Sequence, residues 1–225
     1  MKIEFESNLI RHFFKNVYFI NGTSYAGKST MVAMLAEKYN MIRCGENYHS
    51  NIAVEIAVPE KQPGLCYFST MSGWSEFLNR TPEKYAEWIE ETAREAAQIE
   101  ILELIRISQS NKVIVDTNIP IEILHEISDY NHVAIMLSPQ AMSVGNFFDR
   151  DDEDKKFLLD QINKCENPEK TLANFRFCME KVNSLEIYDS FANSGFFTLV
   201  RQDTKEDTRT EVLASLAKHF KLSDD

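Results

Sequence analysis

Glycine is scarce in this chain, seven in 225 residues, and proline is scarcer still at six. So few backbone breakers exclude a collagen-like or Gly/Pro-rich disordered chain. Cysteine occurs four times, at Cys44, Cys66, Cys165 and Cys178, and no two have the C-x-x-C spacing of a zinc ribbon or redox pair. The expectation is ordinary thiols of a reducing compartment. Long hydrophobic runs are missing: no stretch of about 18 apolar residues occurs, so no membrane span is expected. The segment "MKIEFESNLIRHFFKN" lacks the apolar centre of a signal peptide, and the expected location is the cytoplasm. Basic residues are outnumbered, 24 against 35 acidic ones, for a net charge of -11. Broad attraction to nucleic acid or an anionic membrane is therefore not expected, and any phosphate must be held by a local positive site.

What remains is a globular composition, 44% hydrophobic and 11% aromatic, in a chain long enough for one large α/β domain. Leu9, Ile10, Phe13 and Phe14 share one helical face within 5–14. Apolar β-rich runs follow at 17–21, 41–45, 112–118, 132–138 and 196–202, which we read as five buried strands. Between them lie helical patterns: Met31, Met34, Leu35 and Tyr39 within 28–39, and Tyr85 to Ile105 in a helix opened by Thr81-Pro82-Glu83 and running to about Ser108. A charged helical region spans 149–185, divided at Asn167-Pro168, Pro139 opens a helix after the fourth strand, and a last helix covers about 207–220. Strands alternating with helices predict a parallel sheet covered on both faces. The segments after strands two and four exceed a minimal crossover and form two insertions.

Two of the scarce glycines fall in "FINGTSYAGKST", residues 19–30. Gly22, Thr23, Ser24, Tyr25, Ala26, Gly27, Lys28 and Ser29 satisfy G-x-x-x-x-G-K-[ST], with Thr30 next. A loop that wraps a phosphate chain must turn backbone N–H groups inward, and the glycines permit conformations that a Cβ obstructs. Lys28 brings a point charge to the β- and γ-phosphates, Ser29 offers a hydroxyl to Mg²⁺, and the following helix aims its N-terminus at the anion. At average composition the pattern arises by chance in roughly one chain of this length in a hundred. The strand before it and helix after it sharpen the match. The bland alternative is a glycine turn with an incidental lysine. "VIVD" places Asp116 at a strand end, where it serves Mg²⁺, directly or through water, or acts as a plain N-cap or turn residue.

On the loop, the Asp116 strand, the long helical insert and the charged segment before strand five, the chain resembles P-loop small-molecule kinases, the nucleoside-monophosphate, nucleoside, shikimate and gluconate kinases. The resemblance implies a three-layer P-loop NTPase fold over 1–225, with a five-stranded parallel sheet ordered 2-3-1-4-5. It implies a helical substrate insert at 46–110 and a lid at 141–185. It also implies ATP and Mg²⁺ as cofactors and a small-molecule phosphate acceptor, a nucleoside or nucleotide first. Lid cations would be Arg150, with Lys155 and Lys156 near it, and Arg176. The rival for Arg150 is a salt bridge among Asp149, Asp151 and Asp152, and for Arg176 a helix-surface position. An acid just after strand two orients or deprotonates the acceptor in such kinases, which points to Glu46, with Arg43, Tyr48 and His49 beside it; the rival is a solvated loop residue. Arg80 is a candidate for an acidic substrate group or for the surface. Trp74, Tyr85 and Trp88 line a pocket or join the core. The loop departs from the family in reading "GTSYAGKST" rather than its proline-glycine form, and the lid lacks closely spaced arginines. A nucleotide switch or sensor for a protein partner stays as the other reading, and a kinase of nucleic-acid ends or nucleotide sugars as a third.

Other signals carry nothing. "NKCE" at 163–166 follows no strand and ends in glutamate, so it is not a guanine-reading motif. The five histidines have no metal-ligand spacing, "DRDDEDKK" lacks the glycine and final glutamate of a calcium loop, and no G-x-S-x-G elbow occurs.

Overall fold

The computed structural model describes residues 6–139, 142, 153–202 and 206–223. In chain order the elements are α1 (Ser7–Phe13), β1 (Val17–Gly22), α2 (Lys28–Lys38), β2 (Ile42–Cys44), α3 (Ser50–Ile56), α4 (Tyr67–Thr70), α5 (Trp74–Leu78), α6 (Pro82–Ile107), β3 (Val113–Asp116) and α7 (Ile121–Ile127). A 3₁₀ turn at Tyr130–His132 leads into β4 (Val133–Leu137). Then come α8 (Glu153–Asn163), α9 (Pro168–Val182), α10 (Leu185–Ala192), β5 (Phe197–Val200) and α11 (Arg209–His219).

The five strands form one parallel sheet in the order β2-β3-β1-β4-β5, as expected. Strand side chains alternate between two cores because successive Cβ atoms point to opposite faces. Val17, Phe19, Val113, Val115, Val133, Ile135 and Leu137 pack against Ala97 and Leu104 of α6 and Leu124 and Ile127 of α7. Tyr18, Ile20, Ile114, Ala134 and Met136 pack against Met31, Val32 and Leu35 of α2 and Leu216 and Ala217 of α11. The register brings Ile20 beside Asp116 and Gly22 beside Met136, so the carboxyl ends of the three central strands meet at one edge. Ligands of open α/β sheets bind at that edge.

A third core lies in the helices of the two insertions. Phe77, Leu78 and Tyr85 from the first pack on Ile162, Phe175, Cys178 and Met179 from the second. Asn174 Nδ2 donates to the carbonyls of Leu78 (3.2 Å) and Arg80 (2.7 Å), and Thr171 Oγ1 donates to Asn79 Oδ1 at 3.0 Å. The insertions therefore fold on each other. Tyr85 is a core residue, with Trp74 and Trp88 packed against the same cluster.

The helix start at α6 is used as anticipated, the Thr81 side chain accepting from Lys84 N with Pro82 at the first turn, and the division expected at Asn167-Pro168 is the start of α9, where the Asn167 side chain accepts from Lys170 N. The expected shared face of α1 splits: Phe14 is buried, while Leu9 and Phe13 are about half exposed. Phe14 keeps the helical bond, its N–H donating to Ile10 O at 3.1 Å, so Ile10 and Phe14, four residues apart, turn together into the core while Leu9 and Phe13 lie one position round the helix and face out. All four cysteines are free. Among the described residues no helix is long and apolar enough to cross a membrane. The helix expected at Pro139 falls largely on residues outside those described.

Candidate functional site at the carboxyl edge of the sheet

β1 ends against β4 without a gap. A Cβ on Gly22 would lie 1.9 Å from the Met136 carbonyl oxygen, and Gly22 has φ +129°. Thr23 N donates to that same oxygen at 3.1 Å, and Ser138 N donates to Thr23 Oγ1 at 2.8 Å. On the other side Asn21 Nδ2 donates to the Ile119 carbonyl at 2.7 Å while its Oδ1 accepts from Gly22 N at 2.6 Å. The loop leaves the sheet from this fixed base. It then passes through two left-handed residues, Tyr25 at φ 65° and Gly27 at φ 90°, the alternation that makes a concave run of N–H groups. Met31 N, donating to Gly27 O, makes the first helical bond of α2. Among the described residues the N–H groups of Ala26, Gly27, Lys28, Ser29 and Thr30 donate to no acceptor. An unbroken run of unpaired donors at a helix N-terminus is suited to an anion.

The side chains complete that polarity. Lys28 is largely buried, and its Nζ donates to the carbonyls of Gly22 (3.2 Å) and Thr23 (3.1 Å). Ser29 Oγ donates to Asp116 Oδ2 at 2.6 Å, a contact bridging 87 residues of sequence. Asp116 is 1% exposed and its Oδ1 has no hydrogen-bond partner. Burial raises its pKa. The Lys28 charge and the Ser29 hydroxyl oppose that rise, Glu46 adds to it, and Arg43 opposes it. No cluster of three or more His, Cys, Asp or Glu side chains suited to a metal occurs among the described residues. A serine hydroxyl and one buried carboxylate with a vacant lone pair are hard, sparse donors. They fit Mg²⁺, which keeps waters and takes phosphate oxygens, rather than zinc.

Glu46 and Arg43 reach this edge from β2 and its following loop, both exposed and both close enough to act on Asp116. Asn118 Nδ2 donates to Glu46 Oε1 at 3.0 Å. Behind them lies a second buried acid. Glu100 of α6 is 3% exposed, has an unpartnered Oε1, and is pushed up to about 8, by burial first and by Asp116 besides, against a hydrogen bond with Thr117. Tyr48 Oη donates to the Glu100 carbonyl at 3.2 Å, and His49 is buried with its pKa lowered by burial. An acid whose folded pKa is raised binds its proton more tightly in the native state. Stability is therefore lost as pH climbs from the ordinary carboxylate range to about 8, and no more is lost above that. Glu100→Gln should match the wild-type melting temperature near pH 4.5 and exceed it by a growing margin that levels off above about pH 8, followed by thermal denaturation across that range. A margin that does not grow with pH would show Glu100 to be charged without penalty.

Other candidates stand elsewhere. The Arg80 guanidinium lies 3.5 Å over the Tyr67 ring, with Trp88 and Phe77 at 5.3 and 5.4 Å, and its Nη1 is buried without a partner. It lines a cleft of about 590 Å³ together with Lys84, Glu87 and Glu91. At about 100° per residue, Glu91 sits roughly 180° around α6 from Glu100, so this cleft opens away from the glycine loop and shares no residue with it. Arg176 is exposed on α9, and no hydrogen bond or ion pair joins it to the loop. Arg150 lies outside the described residues. Among the described residues of the second insertion, Lys155 has its Nζ 5.2 Å from the Tyr25 ring centroid, while Lys156 pairs with Glu153 at 3.5 Å.

Residues not singled out from sequence also belong here: Asn21, Glu100, Asn118, Ser138 and Arg201. Asn118 was findable, two positions after Asp116 on the same strand end. Nothing local marks Glu100 or Arg201. No family model matches this chain, and no curated protein matches it either.

Proposed function

We propose that this protein is an ATP- and Mg²⁺-dependent phosphotransferase for a small-molecule acceptor, a nucleoside or nucleotide in the first instance, built on a P-loop kinase framework. The observation that carries this is the convergence of the unpaired N–H run from Ala26 to Thr30, Lys28 and the vacant Oδ1 of Asp116 at one sheet edge. The loop amides hold the phosphate chain. Lys28 exchanges two neutral carbonyls for phosphoryl oxygens, a stronger charge-assisted bond. Mg²⁺, held by Ser29 and Asp116, would neutralise charge on the β- and γ-phosphates. Glu46, steadied by Asn118, accepts the hydrogen bond of the acceptor hydroxyl and takes its proton as the hydroxyl oxygen bonds to the γ-phosphorus and the bond from that phosphorus to the β,γ-bridging oxygen breaks, releasing ADP. Lys155, with its Nζ 5.2 Å from the Tyr25 ring, would meet the transferring group.

The test is to supply Mg²⁺ and ATP with and without a metabolite pool and to identify new phosphorylated products by mass spectrometry. Product that depends on Lys28 supports the proposal. Tight ATP binding with no product from a broad pool favours the nucleotide switch, a reading to which the exposed position of Arg176, apart from the loop, lends weight.

Asp116→Asn should lower turnover about tenfold to a hundredfold and raise the Mg²⁺ concentration needed for half-maximal rate. It should also raise stability at neutral pH. The folded pKa of Asp116 is raised, so its ionised form costs stability above the ordinary aspartate value, and asparagine removes that cost. Denaturant unfolding at pH 7.5 reads the gain; a loss of stability would mean that Asp116 is held ionised by its neighbours.

A further inference from the structure

We propose that Arg201 is a positioning residue of the glycine loop: from the end of β5 it holds the Tyr25 carbonyl outward and thereby turns the Ala26 N–H toward the bound phosphate. This rests on the phosphate-binding reading above. Arg201 Nη1 donates to Tyr25 O at 2.6 Å across 176 residues of sequence. Its own N–H donates to Leu137 O at 2.8 Å, so the guanidinium hangs from an extension of the sheet. A trans peptide is planar, and its C=O and the following N–H point in opposite directions. Fixing one end of the Tyr25–Ala26 unit therefore fixes the other. The Ala26 N–H is the first of the unpaired run. Ser138 Oγ, at the end of β4, donates to Ser24 O at 2.5 Å and treats the preceding peptide in the same way.

The local backbone explains why such a clamp is useful. Tyr25 holds φ 65°, a left-handed conformation strained for a residue with a Cβ. Glycine there would take that conformation without cost. With tyrosine, the conformation must be upheld by contacts from outside the loop. Arg201 makes no ion pair with a carboxylate among the described residues, so its charged donor is directed at the loop carbonyl, a bond stronger than one between neutral groups.

The experiment compares wild type, Arg201→Ala and Arg201→Lys, with Mg²⁺-tripolyphosphate as a probe that has no base to contact. Two readouts are taken: its dissociation constant, and the Ala26 amide resonance in ligand-free protein. Arg201→Ala should bind the probe about tenfold more weakly and shift or broaden the Ala26 resonance. Arg201→Lys should retain part of both, and melting temperatures should agree within about 2 °C because the side chain is exposed. Unchanged affinity would overturn the proposal. So would weakened affinity with an unmoved Ala26 resonance, which would make Arg201 a direct ligand contact. Should wild type itself bind neither ATP nor the probe, the phosphate-binding reading fails first and takes this proposal with it. Failure in the variant alone leaves that reading standing.

Discussion

Replacing Lys28 with alanine is expected to cut phosphoryl transfer about a thousandfold while the protein still folds. The two effects separate because of what Lys28 touches. Its Nζ donates to two loop carbonyls, those of Gly22 and Thr23, and to no carboxylate among the described residues. Losing those bonds costs about 1 kcal/mol, since water can reach loop carbonyls once the side chain is gone. Losing the charge is more serious. Lys28 is the chief influence holding the Asp116 pKa down against burial, so in the variant Asp116 keeps its proton to higher pH and is a poorer partner for Mg²⁺. The same substitution thus removes the proposed phosphate contact and weakens the carboxylate opposite. Turnover, calorimetric ATP titration and thermal denaturation measure the three parts. Activity within tenfold of wild type would remove Lys28 from the chemistry.

Gly22→Ala should have the largest effect on stability, about 3 kcal/mol or more, equivalent to a fall of roughly 6–12 °C in melting temperature. The added Cβ would sit 1.9 Å from Met136 O, 2.8 Å from its carbonyl carbon and 2.9 Å from its nitrogen. Those are backbone atoms of β4, which cannot swing aside as a side chain can. β1 and β4 would have to part at the residue pair Gly22 and Met136, and the bond from Thr23 N to Met136 O would go with them. The φ of +129° adds strain for any residue with a Cβ. Gly45→Ala is the control, because nothing lies within 4 Å of its added Cβ. Equal denaturation midpoints for the two variants would mean that the sheet edge yields more readily than its geometry implies.

The strands were legible because each is a short, dense apolar run, and a strand buried on both faces needs little else. The helix at 82–107 was legible because Thr81-Pro82-Glu83 is start chemistry acting over a few neighbouring residues. The short helices α3, α4, α5 and α7 were not, since four to seven residues give too few turns for a periodic signal and depend on tertiary packing. The sheet order came from the resemblance rather than from any residue, because strand adjacency leaves no trace in local composition.

The site divides in the same way. The sequence by itself determined the strand, glycine loop and helix from Val17 to Lys38, with Lys28 and Ser29 where the loop meets the helix. These depend on backbone freedom, turn geometry and a helix terminus, all properties of neighbouring residues. Tertiary structure alone decided which distant groups join them. It placed Asn118 on Glu46 and Arg201 on the Tyr25 carbonyl. It set Arg80 into an aromatic box on the far side of α6 and buried Glu100 beside Asp116. The reason is physical: burial, and with it charge state and hydrogen-bond partnership, is fixed by how whole elements pack, and side chains 70 to 180 residues apart meet only once the sheet has closed.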